Sequence, residues 1–210
     1  MLTLCIMPKA VIFDIGGVLI GLDMDRCIRA FREDVGFTRI NQLLDPYHQK
    51  GIIGDLEGGK LSENHFKELV LAESRPGATP EDIDIAMGKL LKDKMDPRTV
   101  AAVKSLVGKY PLYLLSNNNP ISMRNCLRVF RQNGLDPDKT FAAQFISSEM
   151  KMLKPSKEFY LTVILKLGLA PQDIVFIDDN MANVEGARAV GIDARVYVPG
   201  TDIGLLLLDC

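Results

Sequence analysis

Four short stretches of this 210-residue chain carry side chains whose types and spacing could do chemistry. The first places Asp14 after Val11-Ile12-Phe13 and ahead of Gly16 and Gly17. The second places Ser116 and Asn117 after Leu114-Leu115, and the third is Lys154-Pro155. The fourth is Asp178-Asp179, with Asn183 a little further on. Taken singly, each is ordinary. An Asp at a strand end usually serves a turn or caps a helix, and so does a Ser-Asn pair. The double Asp carries more weight, because adjacent carboxylates at a buried strand end repel one another unless a cation joins them. Together the four stretches supply a carboxylate nucleophile, oxygens for a hard cation, and amides, a hydroxyl and a lysine for an anion. Phosphoryl transfer through a covalent intermediate is one chemistry that such a set can serve.

Such residues act together only if the fold delivers them to one place. Apolar runs rich in β-branched and aromatic residues predict strands at residues 10–15, 112–116, 174–178 and 193–198, with a weaker one at 141–147. Helical patterns lie between them. Asn119-Pro120 reads as an N-cap with proline in the first turn, followed by Met123, Leu127 and Phe130. Pro155-Ser156 opens a second helix that Gly168 stops, and a third begins after Asp179 and runs to Gly191. A helix starting at Asp179 puts Asn183 on the same face as that carboxylate. Alternating strands and helices predict an α/β fold: a Rossmann-like, doubly wound parallel sheet with right-handed crossovers. Ligands of such sheets bind beyond the carboxyl ends of the strands, where the polar residues collect.

Residues 21–96 break the alternation and carry only helical signals: residues 27–31, Ser62 ahead of Phe66 and Val70, and Thr79-Pro80 ahead of Ile83 and Leu90. They predict a small helical cap inserted after the first strand, with residues 1–20 and 97–210 forming the discontinuous core.

Composition narrows the partner. Hydrophobic residues make up 47% and charged residues 25%, enough to bury a core, and the formal net charge of −2 offers no footprint for nucleic acid or anionic membrane. No apolar run approaches the roughly 20 residues of a membrane span. Residues 1–9 lack a basic n-region and an A-x-A site, and Cys5, Cys27, Cys126 and Cys210 form no C-x-x-C pair. The expectation is a cytoplasmic protein with reduced cysteines, a monomer or a homodimer, acting on a small molecule. With only His48 and His65 present, a bound metal is expected to be hard and held by oxygen.

The motifs Phe-Ile-Asp178-Asp179-Asn-x-x-Asn183-x-x-x-Ala-x-x-x-Gly191 and Leu-Leu-Ser116-Asn117-Asn-x-Pro, with Asp14-x-Gly16-Gly17-Val, resemble the haloacid dehalogenase superfamily, subfamily I with a small helical cap. Within it the chain is similar to the sugar-phosphate (α-D-glucose-1-phosphate) phosphatase-like branch, and the resemblance spans nearly the whole chain. It implies that Asp14 is phosphorylated and that Mg²⁺ is held by Asp14, the Gly16 carbonyl and Asp179, with Asp178 and Asn183 supporting. It implies that Ser116, the Asn117 amide, Lys154 and Gly17 meet the substrate's phosphate, Lys154 also restraining Asp14. Gly17 has two readings: it serves the tight turn after the strand, or it also lets the phosphate approach the backbone closely.

The sequence departs from the family at one position. Where most members carry a second Asp, acting as acid and base, this chain has Gly16. Three explanations stand open: a good leaving group, another carboxylate such as Asp23 or Asp25, or lost catalysis in a phosphate- or partner-binding module. A metal-independent, dehalogenase-type hydrolase ranks below the phosphatase, because it leaves the Asp178-Asp179 pair without a cation. Arg26, Tyr47, His48 and His65 are candidates for choosing the substrate from the cap.

Overall fold

The computed structural model describes residues 8–45 and 50–207. Tyr47, His48, Cys5 and Cys210 lie outside the described residues. Among these residues five strands, β1 (Ala10–Phe13), β2 (Leu112–Ser116), β3 (Ala143–Ile146), β4 (Ile174–Asp178) and β5 (Asp193–Val196), form one sheet in the order β3-β2-β1-β4-β5. Every pairing is parallel. Strands buried on both faces need unbroken apolar runs rather than alternation, and all four residues of β1 are fully buried. Val11, Phe13, Leu114 and Ile177 pack into one apolar layer with Val103, Val129 and Phe130. Ile12, Leu115 and Phe176 pack into the opposite layer with Phe159, Val163 and Val184.

Among the described residues, six α-helices separate β1 from β2: α1 (Met24–Ala30), α2 (Ile40–Leu43), α3 (Gly51–Glu57), α4 (Glu63–Ala72), α5 (Pro80–Gly88) and α6 (Pro97–Leu106). A π-helical segment, Phe31–Val35, continues α1. Local sequence fixes several starts. The Ser62 hydroxyl accepts the His65 amide, and Thr79 and Asp82 cap α5 reciprocally. Phe31, Phe37, Ile53, Phe66, Val70 and Ile83 bury one another in a separate apolar cluster that also takes in Ile121. The two crossings between these helices and the sheet run side by side. Leu22 pairs antiparallel with Leu91, the Asp23 amide donates to Leu90 O at 2.7 Å and the Lys92 amide to Gly21 O at 2.8 Å.

After β2 come α7 (Pro120–Gln132), α8 (Pro137–Thr140), α9 (Ser147–Met150), α10 (Lys157–Leu167) and α11 (Met181–Arg188). Asn119 caps α7 and Ser156 caps α10, which ends at Gly168 in the left-handed region. Several strands are shorter than their apolar runs suggest. β1 ends at Phe13 because the chain turns through Asp14–Gly17, and β5 ends at Val196 rather than 198. Among the described residues, no helix is long and apolar enough to cross a membrane.

Candidate active site

Register brings the polar residues together. Phe13 lies opposite both Leu114 and Ile177, so Asp14, Leu115 and Asp178 follow at one level and Ser116 stands one residue beyond. The Asp14 amide still bonds to Ile177 O at 2.9 Å, which fixes where its side chain leaves the sheet. Asp14 and Ser116 are buried, and both line a cavity of about 190 Å³ beyond the carboxyl edge. Gly16, Asn117, Lys154, Asp179 and Asn183 line it too.

Lys154 is the electrostatic centre. Its Nζ is buried 2.9 Å from Asp14 Oδ1 and 2.6 Å from Asp178 Oδ2, and it donates to Leu115 O at 3.0 Å. The Asp14 contact is an ion pair rather than an aligned hydrogen bond, and leaves Oδ1 without a hydrogen-bond partner. The ammonium also sits 5.5 Å from the centre of the Phe176 ring. Burial works against the lysine's charge, but Asp14 and Asp178 outweigh it and raise its pKa. The backbone of Lys154 is held as firmly: its N–H donates to Asn117 Oδ1 at 2.8 Å, and its carbonyl accepts from Asn117 Nδ2 at 2.9 Å.

Asp14, Asp178 and Asp179 each offer a carboxylate oxygen within 4.8 Å of the others. Burial first, with the charge of Asp178 adding and Lys154 opposing, pushes Asp14 up to about 6. Burial and the charges of Asp14 and Asp178 push Asp179 up to about 7. An all-oxygen set under mutual repulsion is the donor chemistry of a hard divalent cation, which would reverse both shifts. The hydrogen bonds sort the three. Asp178 accepts from Lys154 Nζ, from the Asn180 amide at 2.8 Å and from Asn183 Nδ2 at 3.1 Å to each oxygen. Asp14 and Asp179 line the cavity, whereas the carboxylate of Asp178 is fully occupied behind it.

One expectation about this segment is corrected. The helix does not start at Asp179: Asn180 caps it, accepting the Ala182 amide at 2.9 Å, and α11 begins at Met181. Asp179 therefore stands in the turn, and the Asn183 side chain meets Asp178 rather than sharing a helical face with Asp179. Gly17 has φ +78° and is absent from the cavity lining. A Cβ there would lie 2.0 Å from Asp179 Oδ2, so glycine makes room for a carboxylate as well as for the turn.

The remaining predicted residues lie elsewhere. Asp23 caps α1, accepting the Arg26 amide at 3.0 Å, and does not line the cavity. Asp25 is exposed. Arg26 pairs with Asp93, and exposed His65 with Glu68. One residue escaped sequence reasoning. Glu57, at the end of α3, lines the cavity with Gly54 from the same helix. A lone glutamate inside a helical pattern has no spacing signature; the only cue was the Gly58-Gly59 turn beside it.

Comparison with known proteins agrees with this architecture. The chain is 29% identical over 197 residues to D-ribitol-5-phosphate phosphatase of Bacteroides thetaiotaomicron, covering 93% of this chain and 95% of that one. It is 26% identical to a phosphorylated carbohydrates phosphatase of Thermotoga maritima, covering 90% and 84%. A crystal structure of a HAD family enzyme from Bacteroides thetaiotaomicron, in complex with magnesium and inorganic phosphate, superposes with a TM-score of 0.87. It is 30% identical, covering 95% of this chain and 98% of that one. The family model for haloacid dehalogenase-like hydrolases matches residues 8–191. With that match over most of its length, and the strand-end carboxylates in place, the chain belongs to the haloacid dehalogenase-like hydrolase family.

Proposed function

We propose that this protein is a Mg²⁺-dependent phosphatase that hydrolyses a small phosphorylated sugar or polyol through an aspartyl phosphate on Asp14. The observation that carries the reading is the pairing of Asp14 and Asp179 on one cavity wall with a buried lysine, Lys154, against the first of them. The phosphatase names of the relatives support it, and the carbohydrate in two of those names supports the substrate class.

Phosphate monoesters hydrolyse so slowly that the site must lower the barrier by on the order of 20 kcal/mol. Asp14 divides the task. Its free oxygen attacks phosphorus in line as the bond to the ester oxygen breaks, and water later cleaves the acyl phosphate. Asp14, Asp179 and the Gly16 carbonyl would hold Mg²⁺, with Asp178 and Asn183 fixing the surroundings. When bound, the ion supplies the charge neutralisation that lets a carboxylate approach a phosphate dianion. Ser116, the Asn117 amide and the Lys154 ammonium would receive the phosphoryl oxygens close to the start of α7. The cavity, partly walled by Leu22, Leu90, Leu91 and Leu153, suits a small substrate.

The test is phosphate release across a panel of sugar, polyol and other metabolite phosphates, with and without Mg²⁺, for wild type and Asp14→Asn. The reading expects Mg²⁺-dependent turnover by wild type only. Asp14→Asn activity above about a hundredth of wild type would rule out Asp14 as nucleophile.

A further inference from the structure

Gly16 leaves the reaction without the acid that most family members carry two residues after the nucleophile, and among the described residues one carboxyl residue besides Asp14 and Asp179 lines the cavity. It belongs to Glu57. In-line displacement puts the departing oxygen on the side of phosphorus opposite Asp14, away from the sheet and toward the helices that follow β1. Glu57 comes from those helices.

Its backbone is anchored to the sheet side. The Glu57 carbonyl accepts from Ser147 Oγ at 2.6 Å, and the same hydroxyl oxygen accepts the Asn118 amide at 2.9 Å. One buried serine therefore joins Glu57 to the loop between β2 and α7. Gly59 completes the seat: it has φ +67°, and a Cβ there would lie 2.2 Å from Ser148 O. Only glycine lets this turn approach α9 so closely. A side chain carried on such a rigid joint is positioned rather than left to wander.

Building on the phosphatase reading, we propose that Glu57 is the general acid for the leaving alcohol and the general base for the water that follows. In the first step the Glu57 carboxyl gives its proton to the ester oxygen as Asp14 bonds to phosphorus, and the alcohol departs neutral. In the second step the Glu57 carboxylate takes a proton from water, whose oxygen attacks phosphorus. The bond to Asp14 then breaks, inorganic phosphate leaves, and Glu57 is protonated again. Burial, with the charge of Asp14 adding and Lys154 opposing, pushes Glu57 up to about 8; Asp179 is the other charged group on the cavity wall. Burial, the leading cause of that shift, favours the protonated carboxyl, the form an acid for this step needs.

The experiment measures phosphoenzyme formation in single turnovers over aryl and alkyl phosphates of increasing leaving-group pKa, with Mg²⁺ present. Wild type should show a shallow dependence. Glu57→Gln should steepen it, losing roughly 10²–10⁴-fold on alkyl phosphates and less than about tenfold on nitrophenyl phosphate. Adding Gly16→Asp to Glu57→Gln should restore part of the alkyl rate, because a Cβ at Gly16 meets nothing closer than Leu22 Cδ2 at 3.4 Å. An equal loss across the series, or no loss, overturns the role of Glu57 while leaving the phosphatase intact. Absence of phosphoenzyme from every ester in wild type overturns the phosphatase reading as well.

Discussion

Asn117 and Lys154 are joined by two reciprocal hydrogen bonds, side-chain amide to backbone N–H and backbone carbonyl, at 2.8 and 2.9 Å. The residues are 37 positions apart, one after β2 and the other ahead of α10. The amide of Asn117 is thus spent on aiming the lysine, and only its backbone N–H is left for a phosphate. Asn117→Ala should lower kcat by about 10²-fold through misplacement of Lys154, with a smaller change in KM. Steady-state kinetics on the preferred substrate checks this, and a pure KM effect would refute it.

Removing the lysine itself tests how much of the site is held by charge. Lys154→Met should lower kcat more than it raises KM, since the ammonium acts most where charge develops. It also leaves Asp14 and Asp178 uncompensated, and breaking a buried pair costs about 3–5 kcal/mol. In metal-free protein the loss in Tm should be greater at pH 8 than at pH 5, where Asp14, its pKa raised by burial, can take up a proton.

Two substitutions should separate the carboxylate layers. Asp179→Ala should raise the Mg²⁺ concentration needed for activity steeply, whereas Asn183→Ala, acting through Asp178, should raise it by about 10–100-fold. Gly17→Ala should resemble Asp179→Ala, because its Cβ would intrude on Asp179 Oδ2 in a backbone conformation that costs L-residues about 1–2 kcal/mol. Mg²⁺ titrations of the three variants decide the order.

Metal-free protein should lose stability as pH rises. Asp14, Asp179 and Glu57 are all shifted upward, to about 6, 7 and 8. A carboxyl whose folded pKa is raised contributes stability fully present below its unfolded pKa and lost as pH climbs through the folded value. Tm in chelator should therefore fall between pH 5 and 8.5; Glu63, lowered to about 2 by its hydrogen bonds with Arg124 and Lys67, titrates below that window. Mg²⁺ should raise Tm more at pH 8 than at pH 5, with about 2.7 kcal/mol available at a hundred times Kd. An equal Mg²⁺ effect at both pH values would contradict the raised carboxylates.

The sheet was readable because strands buried on both faces must be continuous apolar runs, and because Asn119, Ser156 and Thr79 cap helices through local bonds. Asp14, Ser116 and Asp178 lie at or just beyond strand ends, so the parallel register that aligns the strands also aligns them. The start of α11 was misplaced because Asp179 and Asn180 are both good caps, and only the turn at Asp178 selects Asn180. Glu57 was invisible for a different reason. Its place on the cavity follows from how α3 docks on α9, a contact between segments 90 residues apart at Ser147. No local pattern encodes that distance.

The cavity wall has a consequence for how such a scaffold diversifies. Leu22, Leu90 and Leu153 are partly buried and line the cavity with side chains that can neither donate nor accept hydrogen bonds. Changes in their bulk alter the room left for the leaving alcohol without removing a partner from Asp14, Lys154 or Asp178. Drift at these three positions can therefore carry the protein between alcohol moieties through viable intermediates. Ile121 has no such freedom, because it lies in the first turn of α7 and is packed in the helical cluster above it.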